Sequence, residues 1–444
     1  MAPRHGRALH ERGTRSGASS SAGSGSGSGM SSGMIVVFAI ATGQAVASNY
    51  LAQPLLETIR HDLHLTTAVA GLIVTVAQVG YALGLIALLP LGDLLERRRL
   101  ITALAAVTAL GLAGAALAPS IGVFLAVTAL VGFTSVMAQL LVPFAASLSP
   151  EAQRGRVVGM VMSGLLLGIL LARTASGFVA ELAGWRAVYW VAAALMAVQT
   201  IVLLRTLPTY RERVALSYPR LLASVLEIAR AEPVLRWRAV YGAVSFAGFS
   251  VLWTTLAFLL SGRPYGYGAG TIGLFGLVGA AGAATATLAG RFSDRGWKNP
   301  LTGLASVLLL VSYLFIWRGA TSLAALLVGI VVLDIGAQAL HITNQGEIYR
   351  LRPEARSRIN AFYMMACFVG AAAGSSTAAF AYSAAGWRGV SLLGAGYGLA
   401  SCVCWVLDLL STRPPAQTGS ATNPATTPQA KRRRTATSNP AAPR

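Results

Sequence analysis

Twelve apolar stretches of roughly 18–26 residues follow one another between residues 34 and 410, and a helix needs about 20 to cross a bilayer. Lipid offers no partner for backbone amides, so each stretch is expected to satisfy its own as a helix. They lie at 34–58, 67–91, 100–118, 121–147, 157–181, 187–207, 237–261, 268–289, 300–317, 321–347, 358–383 and 387–410. Composition agrees: 55% of the 444 residues are hydrophobic and 11% charged, against about 25% charged in a soluble domain. The expected fold class is an all-α membrane protein of twelve transmembrane helices.

The remaining segments are polar. Residues 1–33 are Ser/Gly-rich with Arg4, Arg7, Arg12 and Arg15, and residues 412–444 carry Lys431-Arg432-Arg433-Arg434. Neither holds enough apolar surface to bury a core, so both are expected as disordered basic tails. The first apolar run is too long for a signal-peptide core and lacks a cleavage site. Residues 208–236 form the longest connection, and Tyr218 to Ala231 within it has the amphipathic pattern of a helix lying along the inner membrane face.

A formal net charge of +20 does not require a nucleic-acid partner, and none is expected. Connections 2–3, 4–5, 6–7, 8–9 and 10–11 hold nineteen Lys/Arg, helix ends included, and the opposite connections hold five. By the positive-inside rule the first set and both termini are cytoplasmic, which makes this a multi-pass protein of the cell membrane. Cys367, Cys402 and Cys404 all fall in apolar stretches and offer neither a disulfide framework nor metal spacing. With no phosphate-binding loop and no gathered Ser/His/Asp groups, the sequence points to no enzyme, no metal and no cofactor.

Three landmarks occur twice. Gly92-Asp93 recurs as Ser293-Asp294, Pro150-Glu151-Ala152 as Pro353-Glu354-Ala355, and Gly184-Trp185-Arg186-Ala187-Val188 as Gly386-Trp387-Arg388-Gly389-Val390. The offsets are 201, 203 and 202 residues. A constant offset at equivalent positions marks a duplication, with 34–207 and 237–411 as two pseudo-symmetric six-helix bundles. Parallel repeats of this kind form transporters whose substrate site lies near the midplane between the halves.

At these residues the chain resembles the major facilitator superfamily. That family's loop 2–3 pattern, Gly-x-x-x-Asp-Arg-x-Gly-Arg-Arg, meets Leu89-Pro90-Leu91-Gly92-Asp93-Leu94-Leu95-Glu96-Arg97-Arg98 here, matching at the Asp and the final basic pair. The second copy, Gly290-Arg291-Phe292-Ser293-Asp294-Arg295, supplies the missing Gly and Arg. The segments Asn49 to Arg99 and Arg352 to Asn360 resemble a bacterial branch grouped with drug:proton antiporters. One feature departs from that branch. Where drug antiporters carry Gly-x-x-x-Gly-Pro-x-x-Gly-Gly in the fifth helix, Gly164 and Gly168 are followed by Ile169 and Ala172-Arg173. The resemblance implies that Asp93, with Arg97 and Arg98, latches the cytoplasmic gate toward Arg358. It implies the same of Asp294 and Arg295 toward Arg156.

Arg173 and Asp334 lie inside the fifth and tenth stretches, where each costs roughly 2.5–3.5 kcal/mol to insert. Such residues face a cavity and find partners, so an Arg173–Asp334 pair across the halves is one expectation, with function and a purely structural ion pair both open. Asp334, Gln338, His341 and Gln345 form one polar stripe with Asn344 beside it, the mark of a wet cavity. His341 is a candidate proton relay or a bonded packing residue. Asn49, Tyr50, Gln53, Gln78, Tyr81, Gln139, Trp253, Thr254 and Tyr363 complete the candidates. The glycines of the eighth and eleventh stretches, Gly273, Gly276, Gly279, Gly282, Gly370 and Gly374, allow close helix approach. The reading that results is a monomeric secondary transporter of a small organic solute, driven by protons in the export direction. A metabolite importer or facilitator, and a non-transporting membrane sensor or scaffold, are the alternatives.

Overall fold

The computed structural model describes residues 30–210, 217–279, 298–352 and 355–411, and among these no strand occurs. The first span begins as Ser32–Ala47 and passes through a tight turn at Gln53–Leu55, and a short helix, Leu56–Asp62, leads out of it into the first connection. Thr67–Leu94, Arg97–Leu117, Ile121–Ser147, Glu151–Ala183 and Trp185–Thr206 follow as spans two to six. The seventh is Pro233–Ser261, the eighth starts as Ala269–Val278, the ninth is Lys298–Arg318 and the tenth Leu323–Ile348. Spans eleven and twelve share Arg356–Ser411, which breaks at Ala385 and Gly386. Each expected stretch therefore coincides with a helix, the eighth only in its described part. Asp294, Arg295, Gly282, Pro353, Glu354 and nearly all of both tails lie outside the described residues.

The start signals are local. Side chains of Ser31, Thr66 and Ser322 accept the Met34, Val69 and Ala325 amides at the heads of spans one, two and ten, satisfying donors that a helix leaves open. The repeated Gly-Trp-Arg has a backbone reason. Gly184 and Gly386 have φ of 80° and 57°, a region glycine enters at no steric cost, and each ends one span as the next begins. Outward faces are apolar, with Leu110, Leu182, Phe380 and Leu392 among the most exposed residues, as a lipid solvent requires.

Packing repeats as the sequence does. Gly164 and Gly168 of span five rest on the backbone of Ala39 and Gly43 in span one. Gly370 and Gly374 of span eleven rest on Ala243 and Ala247 in span seven. Spans two and eleven meet across the halves, as do five and eight: Gly71 abuts Ala379, and Gly177 abuts Ala269 and Gly273. The amphipathic pattern at Tyr218–Ala231 forms a helix, with Leu221, Ile228 and Ala229 buried. Tyr218 donates to the Ala87 carbonyl (2.8 Å) and Arg358 to Ser224 Oγ (3.2 Å), so this helix touches spans two and eleven.

Candidate functional site

A cavity of about 190 Å³ lies between the halves, walled by residues of spans one, two, four, five, seven, eight, ten and eleven. The end bearing connections 1–2, 5–6, 7–8 and 11–12 is shut. There Thr75 and Ser375 hydroxyls meet at 2.8 Å, Thr174 donates to the Gly273 carbonyl (3.1 Å), and the Gly270 amide donates to Glu181 (2.9 Å). The Tyr81 and Phe368 rings stack at 4.1 Å. Toward the opposite, basic end span five is exposed along Glu151–Arg156 and again at Gly159 and Met160. Its buried residues are Val157 and Val161 in that half of the span and a denser group from Ala172 to Ala180 in the other. Among the described residues the molecule is closed at one end and parted at the other.

Arg173 and Asp334, each 3% exposed, sit at the closed end of the cavity. They do not form the direct ion pair that their depths allowed. Trp253 stands between them: the guanidinium lies 3.8 Å over its ring, and its indole N–H donates to Asp334 Oδ1 at 3.5 Å. Arg173 Nε donates to Gln53 Oε1 (2.7 Å), with the Tyr50 ring 5.1 Å away. Its Nη2 is buried and unpartnered. Asp334 faces Gly279, where even a methyl group would clash with Oδ2. A cation with one open donor and a carboxylate with one open oxygen thus share a tryptophan.

Of the sequence candidates, Tyr50, Tyr81, Gln139, Arg173, Asp334, Gln338, His341 and Gln345 line the cavity. Gln139 donates to the Tyr81 hydroxyl at 3.3 Å. Gln53 and Trp253 lie behind Arg173. Asn49 points into the first half, beside Ala77 and Thr128, and Gln78, Thr254, Asn344 and Tyr363 are buried away from the cavity. The periodicity that groups Asn344 with its neighbours misplaces it by about 100° on the helix. The apolar wall, including Met162, Phe246, Phe249, Met364 and Phe368, is not visible in the sequence, because a lipid-facing side chain and a cavity-facing one are equally apolar. Arg238, counted as a helix-end cation, is 5% exposed and bonded to Thr302 and Asn344. Its polar partner on span ten is the signal that could have marked it.

Asp93 and Arg358 are not joined as the resemblance implied, and the counterpart contact of Asp294 and Arg295 with Arg156 lies outside the described residues. Asp93 lies 3.7 Å from Arg97, one turn on, and Arg358 bonds Ser224 of the connecting helix. Arg97 also holds the Gly92 carbonyl (3.2 Å) and Ser147 (3.4 Å), and stacks on Tyr210 at 5.2 Å. Arg98 reaches the Leu204 carbonyl, and Arg156 is exposed. The parted basic end is the physical reason: a latch between halves needs that end closed. At the shut end, Asp62 accepts from Trp185 Nε1 (2.8 Å) and Arg186 (2.6 Å), and these two donors hold its carboxyl below the usual carboxylate range.

The family model described as Major Facilitator Superfamily matches residues 34–346. "Uncharacterized transporter YgaY" of Escherichia coli O157:H7 is 51% identical over 372 residues, 84% of this chain and 94% of that protein. Among solved structures, a bacterial homolog of the human lysosomal transporter Spinster, titled as inward-facing and occupied, superposes with a TM-score of 0.70 at 15% identity, covering 87% of this chain and 99% of the other. A mutant of the nucleoside transporter NupG gives a TM-score of 0.68 at 14% identity, covering 84% and 99%.

Proposed function

The chain belongs to the major facilitator superfamily and is a multi-pass membrane transporter, and from that premise we propose proton-coupled movement of a small organic solute by alternating access. The observation that carries this is the cavity between the halves, shut at one end, parted at the other, with Arg173 and Asp334 at its blind end. In this reading 34–207 and 237–411 are the two rocking units, joined by 208–236, and the basic end is cytoplasmic. Asp334 exchanges the coupling proton, because an ionisable group placed so deep is retained for work. Aromatic and aliphatic walls bind the solute's apolar body, and export of that solute is the direction the reading favours. The latch of Asp93 toward Arg358 forms when the basic end closes.

One observation favours a second reading, uptake of an organic anion. The open Nη2 of Arg173 is suited to a carboxylate, since charge-assisted bonds are the strong ones. Both readings are tested in proteoliposomes carrying an internal pH dye, with benzoate, benzamide and benzylammonium as matched probes. Solute-dependent proton movement is expected in the wild type and is expected to vanish in Asp334→Asn. Gradient-driven accumulation that survives Asp334→Asn unchanged refutes the coupling. Benzoate entering with a proton supports the anion reading, and benzylammonium exchanging for one supports export.

A further inference from the structure

His341 lines the cavity, yet the direction of its hydrogen bonding is set from outside it. Arg238 Nη1 donates to Thr302 Oγ1 at 3.2 Å and to Asn344 Oδ1 at 3.3 Å. A guanidinium has donors only, so the Asn344 amide must turn its oxygen toward Arg238 and its nitrogen away. That nitrogen donates to the Tyr363 hydroxyl at 3.4 Å. The phenol oxygen is thereby occupied as an acceptor, and its own proton remains to be given. His341 Nδ1 lies 3.0 Å from it. The thiol of Cys367, also beside this phenol, is a weak acceptor by comparison with an imidazole nitrogen. Asn344 and Tyr363 are fully buried, so no bulk water competes for these bonds.

We propose that Arg238, Asn344 and Tyr363 hold His341 as the neutral imidazole with its proton on Nε2, so that the tenth span presents a fixed N–H donor to the cavity. Nδ1 accepts from Tyr363, and the ring edge left facing the cavity carries the donor. The groups packed on the ring offer an imidazolium no counter-charge. Phe246 of span seven lies 5.3 Å away and Tyr363 of span eleven stacks at 5.6 Å. Tyr81 and Gln139 of the other half line the same cavity and bond each other. Asp334 is seven residues back, about 10 Å along the helix. Resting on the transport reading, this makes His341 a specificity-determining residue for a solute with an acceptor oxygen, and leaves proton exchange to Asp334.

Nitrogen-15 NMR of histidine-labelled protein tests the assignment. His5, His10, His61 and His64 lie outside the spans, and His341→Gln identifies the remaining signal. The expected spectrum is the Nε2–H tautomer, unchanged between pH 5.5 and 8. In Tyr363→Phe the donor to Nδ1 is gone, and tautomers are expected to mix and the ring to titrate. An Nδ1–H tautomer, a titrating wild-type ring, or a Tyr363→Phe spectrum identical to wild type would each overturn the proposal. In flux assays His341→Phe should raise KM about five- to tenfold for benzoate and benzamide, which carry an acceptor oxygen, and much less for benzylammonium, which carries none; His341→Gln, which retains a donor, should raise it less than His341→Phe does. Equal changes for the three probes in His341→Phe also overturn it. Absence of flux in the wild type strikes at the transport reading and leaves the nitrogen shifts standing.

Discussion

Gly71→Ala probes the shut end directly. A Cβ built on Gly71 falls 2.1 Å from the Ala379 Cβ across the seam between spans two and eleven. Comfortable carbon–carbon contact is about 3.5–4.0 Å, so the helices must separate by roughly 1.5 Å or a neighbour must move. Ala379 has no rotamer to change, and the strain falls on the conformer in which this end is shut. Overpacking of this kind costs about 1–3 kcal/mol, a factor of roughly 5–150 in the ratio of shut to open conformers. The conformer with the seam parted is spared that cost. Spin labels at Thr66 and Ala384, both exposed at this end, report the opening by pulsed dipolar spectroscopy once Cys367, Cys402 and Cys404 are replaced. The expected result is a new population at longer distance. Gly177→Ala should do the same, since its Cβ would meet the Ala269 carbonyl oxygen at 2.3 Å. Gly159→Ala is the control, with nothing within 4 Å of the added atom. Distance distributions identical to wild type in both seam variants would refute the claim that these contacts shut the end.

Trp253→Phe keeps an aromatic face for Arg173 but removes the N–H that reaches Asp334. Substrate-free protein should still fold, and the pH midpoint of coupled flux should move; an unmoved midpoint refutes the link. Arg173→Lys keeps the charge but loses the Nε bond to Gln53 and the planar stack. Flux is expected to fall at least tenfold at equal expression, and a loss below twofold would refute the role. Asp62 is held below the usual carboxylate range by Trp185 and then Arg186. Its contribution to stability is therefore present above about pH 4 and lost as pH falls through the depressed value. Asp62→Asn should flatten that part of the acid melting profile, and an unaltered profile counts against it. Gly394→Ala would set a methyl 1.9 Å from the Tyr313 ring, so its melting temperature should fall, with an overpacking cost of about 1–3 kcal/mol.

The spans were legible because a bilayer makes one demand of every segment that crosses it, and 121–147 or 237–261 answers in composition alone. Duplicated landmarks were legible for a local reason, as Gly184 and Gly386 share a backbone conformation. The polar stripe on span ten was readable because a wet face is rare in lipid. What the sequence could not carry was the partner across a gap. Arg173 and Asp334 were found as deep charges, but the tryptophan between them comes from a third helix, 80 residues from the first and 81 from the second. Nor does an apolar residue such as Phe368 announce whether it meets lipid or Tyr81. The Asp93–Arg358 latch that the resemblance implied needs a closed basic end, whereas here Arg358 bonds Ser224.

The duplication also says where to look for function, because the halves share packing and differ in chemistry. Gly132 of span four would drive a methyl into Ala77 of span two, and Asp334 of span ten touches Gly279 of span eight. The two contacts are related by the same 202-residue offset. A site that serves one half as close helix packing therefore serves the other as a buried carboxylate. Arg173 corresponds in the same way to Ser375, which does nothing beyond the Thr75 contact and its own helix turn. Gln139 corresponds to His341, and both face the cavity. Scaffold positions survive as small residues in both copies, as at Gly168 and Gly370. Buried charge stands in one copy only at each of these positions, at Arg173 in the first half and Asp334 in the second, and in the proposed reading the halves rock against each other about these two residues. A two-fold machine with a one-fold charge distribution gives a bound solute a preferred orientation. Restoring the symmetry, with Arg173→Ser and Asp334→Gly together, should leave a folded, rocking protein that no longer couples flux to protons.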